Sequence, residues 1–272
     1  MTEMLIIEAG RTERQYWRDL WKFRELFYFL AWRDFLIRYR QTIVGVAWSF
    51  IRPFLTMLIL TLVMKVGKLP AGGVPAPLFV FCAMLPWQFF STAMSECGNS
   101  LVNNANLVSK IYFPRLVVPA SSVIVSFVDF LIAAVFLAVL MFFYHFTPPP
   151  QILFIPFFVI LVFAVSLGAG LWIAALMVEY RDFRFIVPFV VQFGLYAAPV
   201  LTMTSHVPER WRWVYSLNPT VGIIDGFRWC LLGGDNLIYW PGLALSVLVT
   251  LSVILSGLWY FRKTERTFAD TI

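Results

Sequence analysis

Charge is what this sequence has least of. Only 13% of its 272 residues are Asp, Glu, Lys or Arg, while 60% are hydrophobic. A water-soluble domain carries about a quarter charged residues and about half apolar ones. The mean hydropathy of +0.79 therefore excludes an ordinary soluble protein and places most of the chain in lipid. Cysteine is scarce too. Cys82, Cys97 and Cys230 are scattered without metal-ligand spacing and make no disulfide framework. They read as small buried hydrophobes. The two histidines, His145 and His206, fall far apart at the outer ends of expected spans, which speaks against a catalytic pair. No GxxxxGK(S/T) nucleotide loop, no GxGxxG turn and no GxSxG nucleophile elbow occurs. Zinc-finger spacing and basic heptads are missing as well, so no nucleic-acid partner is expected. The first forty residues hold eight Lys and Arg broken by aromatics and lack the apolar core of a signal peptide. No inverted repeat of the kind common in secondary transporters is visible.

What is there is apolar and aromatic: 28 Phe, 11 Trp and 10 Tyr, residue types that suit membrane interfaces and sugar-facing walls. Crossing ~30 Å of hydrocarbon takes about 20 apolar residues. Six runs qualify, at about Ile43–Met64, Leu78–Gly98, Leu116–Phe146, Ile152–Val178, Phe185–Met203 and Leu237–Phe261. The spacing thus predicts an all-α integral membrane protein. Residues 1–42 form its N-terminal part, 43–261 a six-span transmembrane domain, and 262–272 a tail. Pro86 is expected to kink the second span. Arg52 beside Pro53, Glu96 and Asp129 are costly at membrane depth unless they pair, snorkel or face water. Gly168 and Gly170 in the fourth span permit close helix contact.

Before the first span, Tyr16, Leu20, Phe23, Phe27 and Leu30 share one side at helical pitch. Arg14, Arg18, Lys22 and Glu25 share another. With Trp17, Trp21 and Trp32 on the flanks, the segment predicts an amphipathic helix in the headgroup plane. Between spans two and three lies NNANLVSKIYFPRLVVP, residues 103–119. It is polar at its start, basic at Lys110 and Arg115, and interrupted by Pro114 and Pro119. A short helix ending near Tyr112 and a new one after Pro114 are expected. The same composition fits a solvated linker or a basic element that touches another protein. Between spans five and six, PERWRWVYSL begins at Pro208. NPTVGIIDGFRWCLL follows, with Asn218 as cap and Pro219 in the first turn. The second piece is too short to span, so residues 205–234 predict a re-entrant or interfacial helical hairpin. Asp225 and Arg228 stand three apart there and can pair.

Orientation follows from Lys and Arg. With both termini inside, fifteen of the 21 basic residues face the cytoplasm, five face out, and Arg52 sits in a span. This puts 103–119 and the 179–184 loop inside, and the hairpin outside.

Five blocks, in order and over nearly the whole length, carry a family resemblance. They are RDFLIRYRQTIVGVAWSFIRPF from Arg33, LPWQFFSTAMSECGNSLVNNANLVSKIYFPRLVVP from Leu85, VEYRDFRFIVPFVVQF from Val178, PERWRWVYSLNPTVGIIDGFR from Pro208, and the tail FRKTERTFADTI. The chain resembles the membrane subunit of bacterial ABC exporters for O-antigen, capsule or teichoic acid. Arg52 departs from the family, where an uncharged or acidic residue is expected before the proline. The resemblance implies a permease, not an enzyme: a homodimer in the bacterial inner membrane with two ATP-binding cassette subunits beneath. This chain would bind no cofactor, ATP and Mg belonging to the partner. Asn103, Asn104, Asn106, Lys110, Tyr112 and Arg115 would form the coupling helix, at about 103–115. Trp17, Trp21, Arg33 and Arg38 would lie on the interface helix. The outer gate would hold Pro208, Glu209, Arg210, Trp211, Arg212 and Trp213, with Asn218, Asp225 and Arg228 on its second helix. Trp48, Phe54, Trp87, Phe89, Phe90 and Tyr196 would line the path of a lipid-linked polysaccharide, O-antigen first among the three. Export of a small hydrophobic compound and an embedded enzyme acting on lipid-linked sugars are the alternative functions.

Overall fold

The computed structural model describes residues 13–40, 43–180, 182–234 and 238–268. Arg11, Arg181 and Leu237 lie outside the described residues, as do the side chains of Arg14, Arg40, Trp48 and Arg266. Every described regular element is helical. In order they are α1 (Glu13–Lys22), α2 (Arg24–Arg40), α3 (Ile43–Val66), α4 (Ala76–Asn103), α5 (Ala105–Lys110), α6 (Val117–Phe143), α7 (Ile155–Glu179), α8 (Phe183–Ala197), α9 (Glu209–Ser216), α10 (Pro219–Leu232) and α11 (Trp240–Thr264). Short 3-10 turns precede α7 and α9 and follow α11. Prolines in the first turn of α4, α7, α10 and α11 start those helices where a missing N–H costs nothing.

Among the described residues, four helices are long and apolar enough to cross a membrane: α4, α6, α7 with its 3-10 lead, and α11. α3 runs 24 residues with Arg52 and Pro53 inside it. α8 is apolar but has 15 residues, about 22 Å of helix against ~30 Å of hydrocarbon. The expected fifth run to Met203 is helical only to Ala197. Ala198 is extended, with ψ 150°, as a residue before proline prefers, and Pro199 leads into a turn. The expected single N-terminal helix is likewise two, with a break at Phe23.

α4 is the central post. It packs most extensively on α7 and α6, then on α10 and α3. Most of its side chains are buried, whereas α6, α7 and α11 keep broad apolar surface outward. Phe89 joins Phe127, Phe130 and Phe163 in an aromatic cluster with ring centroids 5.4–6.2 Å apart. The small residues expected in α7 do bring helices together. A Cβ on Gly168 would lie 2.6 Å from the Ile254 Cα of α11, and one on Gly170 would lie 2.6 Å from Cys97 of α4. The three cysteines are buried and unbonded.

Candidate functional site

The segment between α4 and α6 is an exposed tip on a buried base. Val108, Phe113 and Leu116 are 2–5% exposed and anchor it in the main core. Around these anchors Asn106, Lys110, Ile111 and Tyr112 are exposed. α5 is a single short helix ending at Lys110, and α6 restarts at Val117 beyond Pro114, close to the predicted breaks. Asn103 is exposed at the end of α4. Asn104 closes that helix by donating from its side chain to Ser100 O at 2.9 Å. Its other amide atom accepts from Arg33 Nη2 of α2 at 2.7 Å. Arg115 does not reach outward with Lys110. Its backbone N–H donates to Glu265 Oε1 at 2.7 Å, and its guanidinium donates to the Glu265 carbonyl. The tip is thereby tied to the end of α11. Burial pushes the Glu265 carboxyl above the usual carboxylate range, against the Arg115 donors. Burial, then the neighbouring Glu265 charge, pushes the Tyr16 phenol up. The Arg262 guanidinium lies 4.5 Å over the Tyr16 ring and 5.9 Å over Trp17. Trp17 and Trp21 are themselves largely exposed, with Arg24 5.8 Å over the Trp21 ring.

α2 docks across α4 and α6 through arginine. Arg38 donates to Glu96 Oε1 of α4 and to Asp129 Oδ2 of α6, each at 2.5 Å, and the Tyr39 hydroxyl donates to Asp129 Oδ1. Arg33 pairs with its neighbour Asp34 at 2.7 Å. The two intramembrane carboxylates that sequence reasoning left without partners thus share one cation. The signal was the cost of a lone charge at membrane depth. No periodicity told which helix supplied the partner.

A cavity of about 780 Å³ opens between α3, α4, α6 and α8, with Arg52, Trp87, Gln88, Phe89, Gln192 and Tyr196 on its wall. Three of the six aromatic path candidates therefore meet in one space. Trp87 and Phe89 are mostly buried, while Tyr196 is exposed. Phe90 packs on Trp87 at 5.7 Å, and Phe54 packs edge-on against Phe136 at 6.2 Å; neither lines the cavity. Gln88, Gln192 and the hydroxyls of Ser91, Thr92 and Ser95 supply hydrogen-bonding groups beside the rings. Sequence reasoning passed over these polar residues because singly each looks like an ordinary helix surface residue.

At the other end, the segment expected to form a hairpin holds two helices, α9 and α10. Asn218 caps α10, its side-chain oxygen accepting from Thr220 N at 3.1 Å. Pro208 precedes α9 instead of opening it. Glu209, Arg210, Trp211 and Trp213 are exposed. Arg212 turns back to the carbonyls of Val207 and Ser205 at 2.8 Å. α10 is almost wholly buried, Asp225 and Arg228 included. The expected Asp225–Arg228 ion pair does not form. Arg228 instead donates to the carbonyls of Pro199 and Val200 at 2.6 Å, Thr202 at 2.8 Å and Phe79 at 3.4 Å. Its guanidinium lies 3.7 Å over the Phe79 ring. The turn after α8 presents three carbonyls to the guanidinium, which fans out over them. Among the described residues no group of acids, histidines and cysteines could hold a metal ion.

Comparison with known proteins gives the chain a family. The family profile described as ABC-2 type transporter matches residues 25–232. An O-antigen export system permease protein RfbA of Klebsiella pneumoniae is 27% identical over 251 residues, covering 88% of this chain and 92% of the relative. The protein of that name from Myxococcus xanthus is 28% identical over 214 residues, 78% of this chain and 82% of the relative. A second Klebsiella pneumoniae relative so named is 25% identical over 250 residues. The profile match runs from α2 through the exposed tip and the cavity to the end of α10, and the chain belongs to the ABC-2 type transporter membrane family.

Proposed function

We propose that this chain is the transmembrane subunit of an ATP-driven exporter that moves a lipid-linked polysaccharide, O-antigen first, from the cytoplasm across the bacterial inner membrane. Similarity to three permeases named for O-antigen export, over most of each chain, carries this reading. Two copies pair, with two ATP-binding cassette subunits below, which hold the ATP and Mg. Both termini lie in the cytoplasm, following the basic residues. α3 and α8 complete six crossings, α8 being extended by the turn that follows it.

The tip with Asn106, Lys110 and Tyr112 seats in an ATPase cleft. Its support is a small polar surface held on three buried apolar anchors, which transmits displacement instead of absorbing it. The cavity wall offers apolar rings to the C–H faces of sugars and amides and hydroxyls to their polar edges. α9 and α10 cover the outer end. ATP drives the cycle because the closed ATPase pair favours one arrangement of the two tips over the other, a differential contact without which no population shifts.

The test is genetic and biochemical together. Deleting the gene is expected to leave polymer inside the cell, and the tagged chain is expected to co-purify with an ATPase. Lys110→Glu with Tyr112→Ala is expected to leave an inserted complex whose ATP hydrolysis no longer exports. Polymer reaching the surface normally in the deletion strain would refute the export role. Unchanged export in the double variant would refute the coupling role of the tip.

A further inference from the structure

Two cavities meet at Arg38. The lower one, about 550 Å³, is lined by Arg33, Ser100, Asn103, Asn104 and Ser122. The upper one, about 780 Å³, is the aromatic and polar space that contains Trp87, Thr92 and Tyr196. Arg38 and Glu96 line both. The order along each helix is the same. On α4 the lower wall uses residues 100–104, Glu96 comes next, and the upper wall uses 84–95. On α6 Ser122 and Val125 face the lower cavity, while Ser126, Asp129 and Phe130 face the upper one. On α2 Arg33 and Ile37 precede Arg38. The two spaces are therefore stacked end to end along α4 and α6, with α2 reaching the upper one through Arg38 alone. The Arg38–Glu96 and Arg38–Asp129 pairs, both 2.5 Å, stand at the boundary.

We infer that this three-helix ion cluster is the inner gate of the path: a latch that keeps the upper cavity shut from the cytoplasmic side. The atoms that hold it are side-chain atoms only, so it parts by rotamer changes and a small shift of α2, without unfolding a helix. Arg38 is 29% exposed, Glu96 44% and Asp129 28%. None of the three is sealed inside the protein, and a partly exposed pair is weaker than a fully enclosed one. A handle exists as well. Arg33, five residues before Arg38 on α2, is held by Asn104 at the base of the exposed tip. Glu96 stands eight residues above Asn104 on α4, about 12 Å. A displacement of the tip thus reaches α2 at Arg33 and the latch at Arg38. That the displacement comes from an ATPase rests on the export reading; the latch itself does not.

The experiment uses the complete transporter in inside-out vesicles, with Thr92→Cys as reporter in the upper cavity and a membrane-impermeant maleimide as probe. Vesicles lacking the reporter give the background from the buried native cysteines. Without nucleotide, Arg38→Gln is expected to raise the labelling rate about tenfold, and Arg38→Lys, which keeps a cation, to stay within about twofold. Equal amounts of tagged chain in the washed membranes of all backgrounds verify insertion. Should Arg38→Gln fail to insert, Glu96→Gln with Asp129→Asn removes the latch from its other side and is expected to give the same rise. With nucleotide, Asn104→Ala is expected to abolish any ATP-dependent change in labelling. Equal Thr92→Cys labelling in native and latch-free vesicles overturns the gate. That result leaves polymer export untouched, and loss of the export reading leaves the nucleotide-free labelling readable.

Discussion

Replacing Arg228 by methionine isolates the largest polar commitment in the fold. The side chain is fully buried and fills the space between α10, the top of α4 and the turn after α8. Methionine keeps much of the volume and removes every donor. Three carbonyls bonded at 2.6–2.8 Å, and a fourth at 3.4 Å, then lose their partner in an enclosed site. A hydrogen bond to a charged group contributes about 1.5–3 kcal/mol net, so the three short ones alone suggest a gross loss of about 5–9 kcal/mol. Removing the guanidinium also removes its own desolvation cost, and the net loss expected for one half of a buried charged contact is about 3–5 kcal/mol. For a chain of this size about 2–4 °C of melting temperature corresponds to each kcal/mol, so a fall of roughly 10 °C is expected. The assay is thermal unfolding of the purified complex in detergent, followed by size-exclusion chromatography of the surviving folded fraction. Arg228→Lys should fall between, since an ammonium keeps the charge but cannot fan out to several carbonyls at once. A fall below about 2 °C for Arg228→Met would mean that the turn carbonyls find water, and that the arginine does not hold the turn.

Two further outcomes follow from the packing and the charges. A Cβ on Gly257 would lie 2.4 Å from the Gly168 carbonyl oxygen, a backbone atom that moves only if α7 and α11 separate. Gly257→Ala is expected to cost about 1–3 kcal/mol by the same thermal assay, and Ser252→Ala, exposed on α11, close to nothing. Glu265 is a carboxyl whose folded pKa is raised by burial, so its neutral form is the one the fold favours. Its contribution is full below its ordinary value of 4.5 and is lost as pH rises through the raised one. The melting temperature of the native chain should therefore decline from pH 4.5 upward more steeply than that of Glu265→Gln. Parallel slopes would show that this carboxylate is not held out of water.

The membrane class, the start of most long helices and the breaks around α9 and α10 were legible because each rests on local chemistry. Long apolar runs have no other way to hide from water than lipid, and proline and asparagine set helix starts within a residue or two of themselves. Gly168 and Gly170 could be read as contact points for the same reason, since a missing Cβ is a property of the residue. Other features depend on what comes across from elsewhere in the chain. Asp129 and Glu96 announced an unpaired cost, but Arg38 answers them from 91 and 58 positions away. Arg228 had a carboxylate one turn off and took carbonyls instead, because only the folded chain presents a turn whose oxygens lack partners. Arg115 read with Lys110 as part of one basic element, and it is bound to Glu265, 150 positions on. The order of residues thus determined where this protein meets lipid and where its helices begin, since those depend on burial of each segment's own atoms. Only the tertiary structure decided which charges neutralise one another and which side chains share a cavity. Such pairings depend on distances that close when distant helices pack, and no local pattern encodes them.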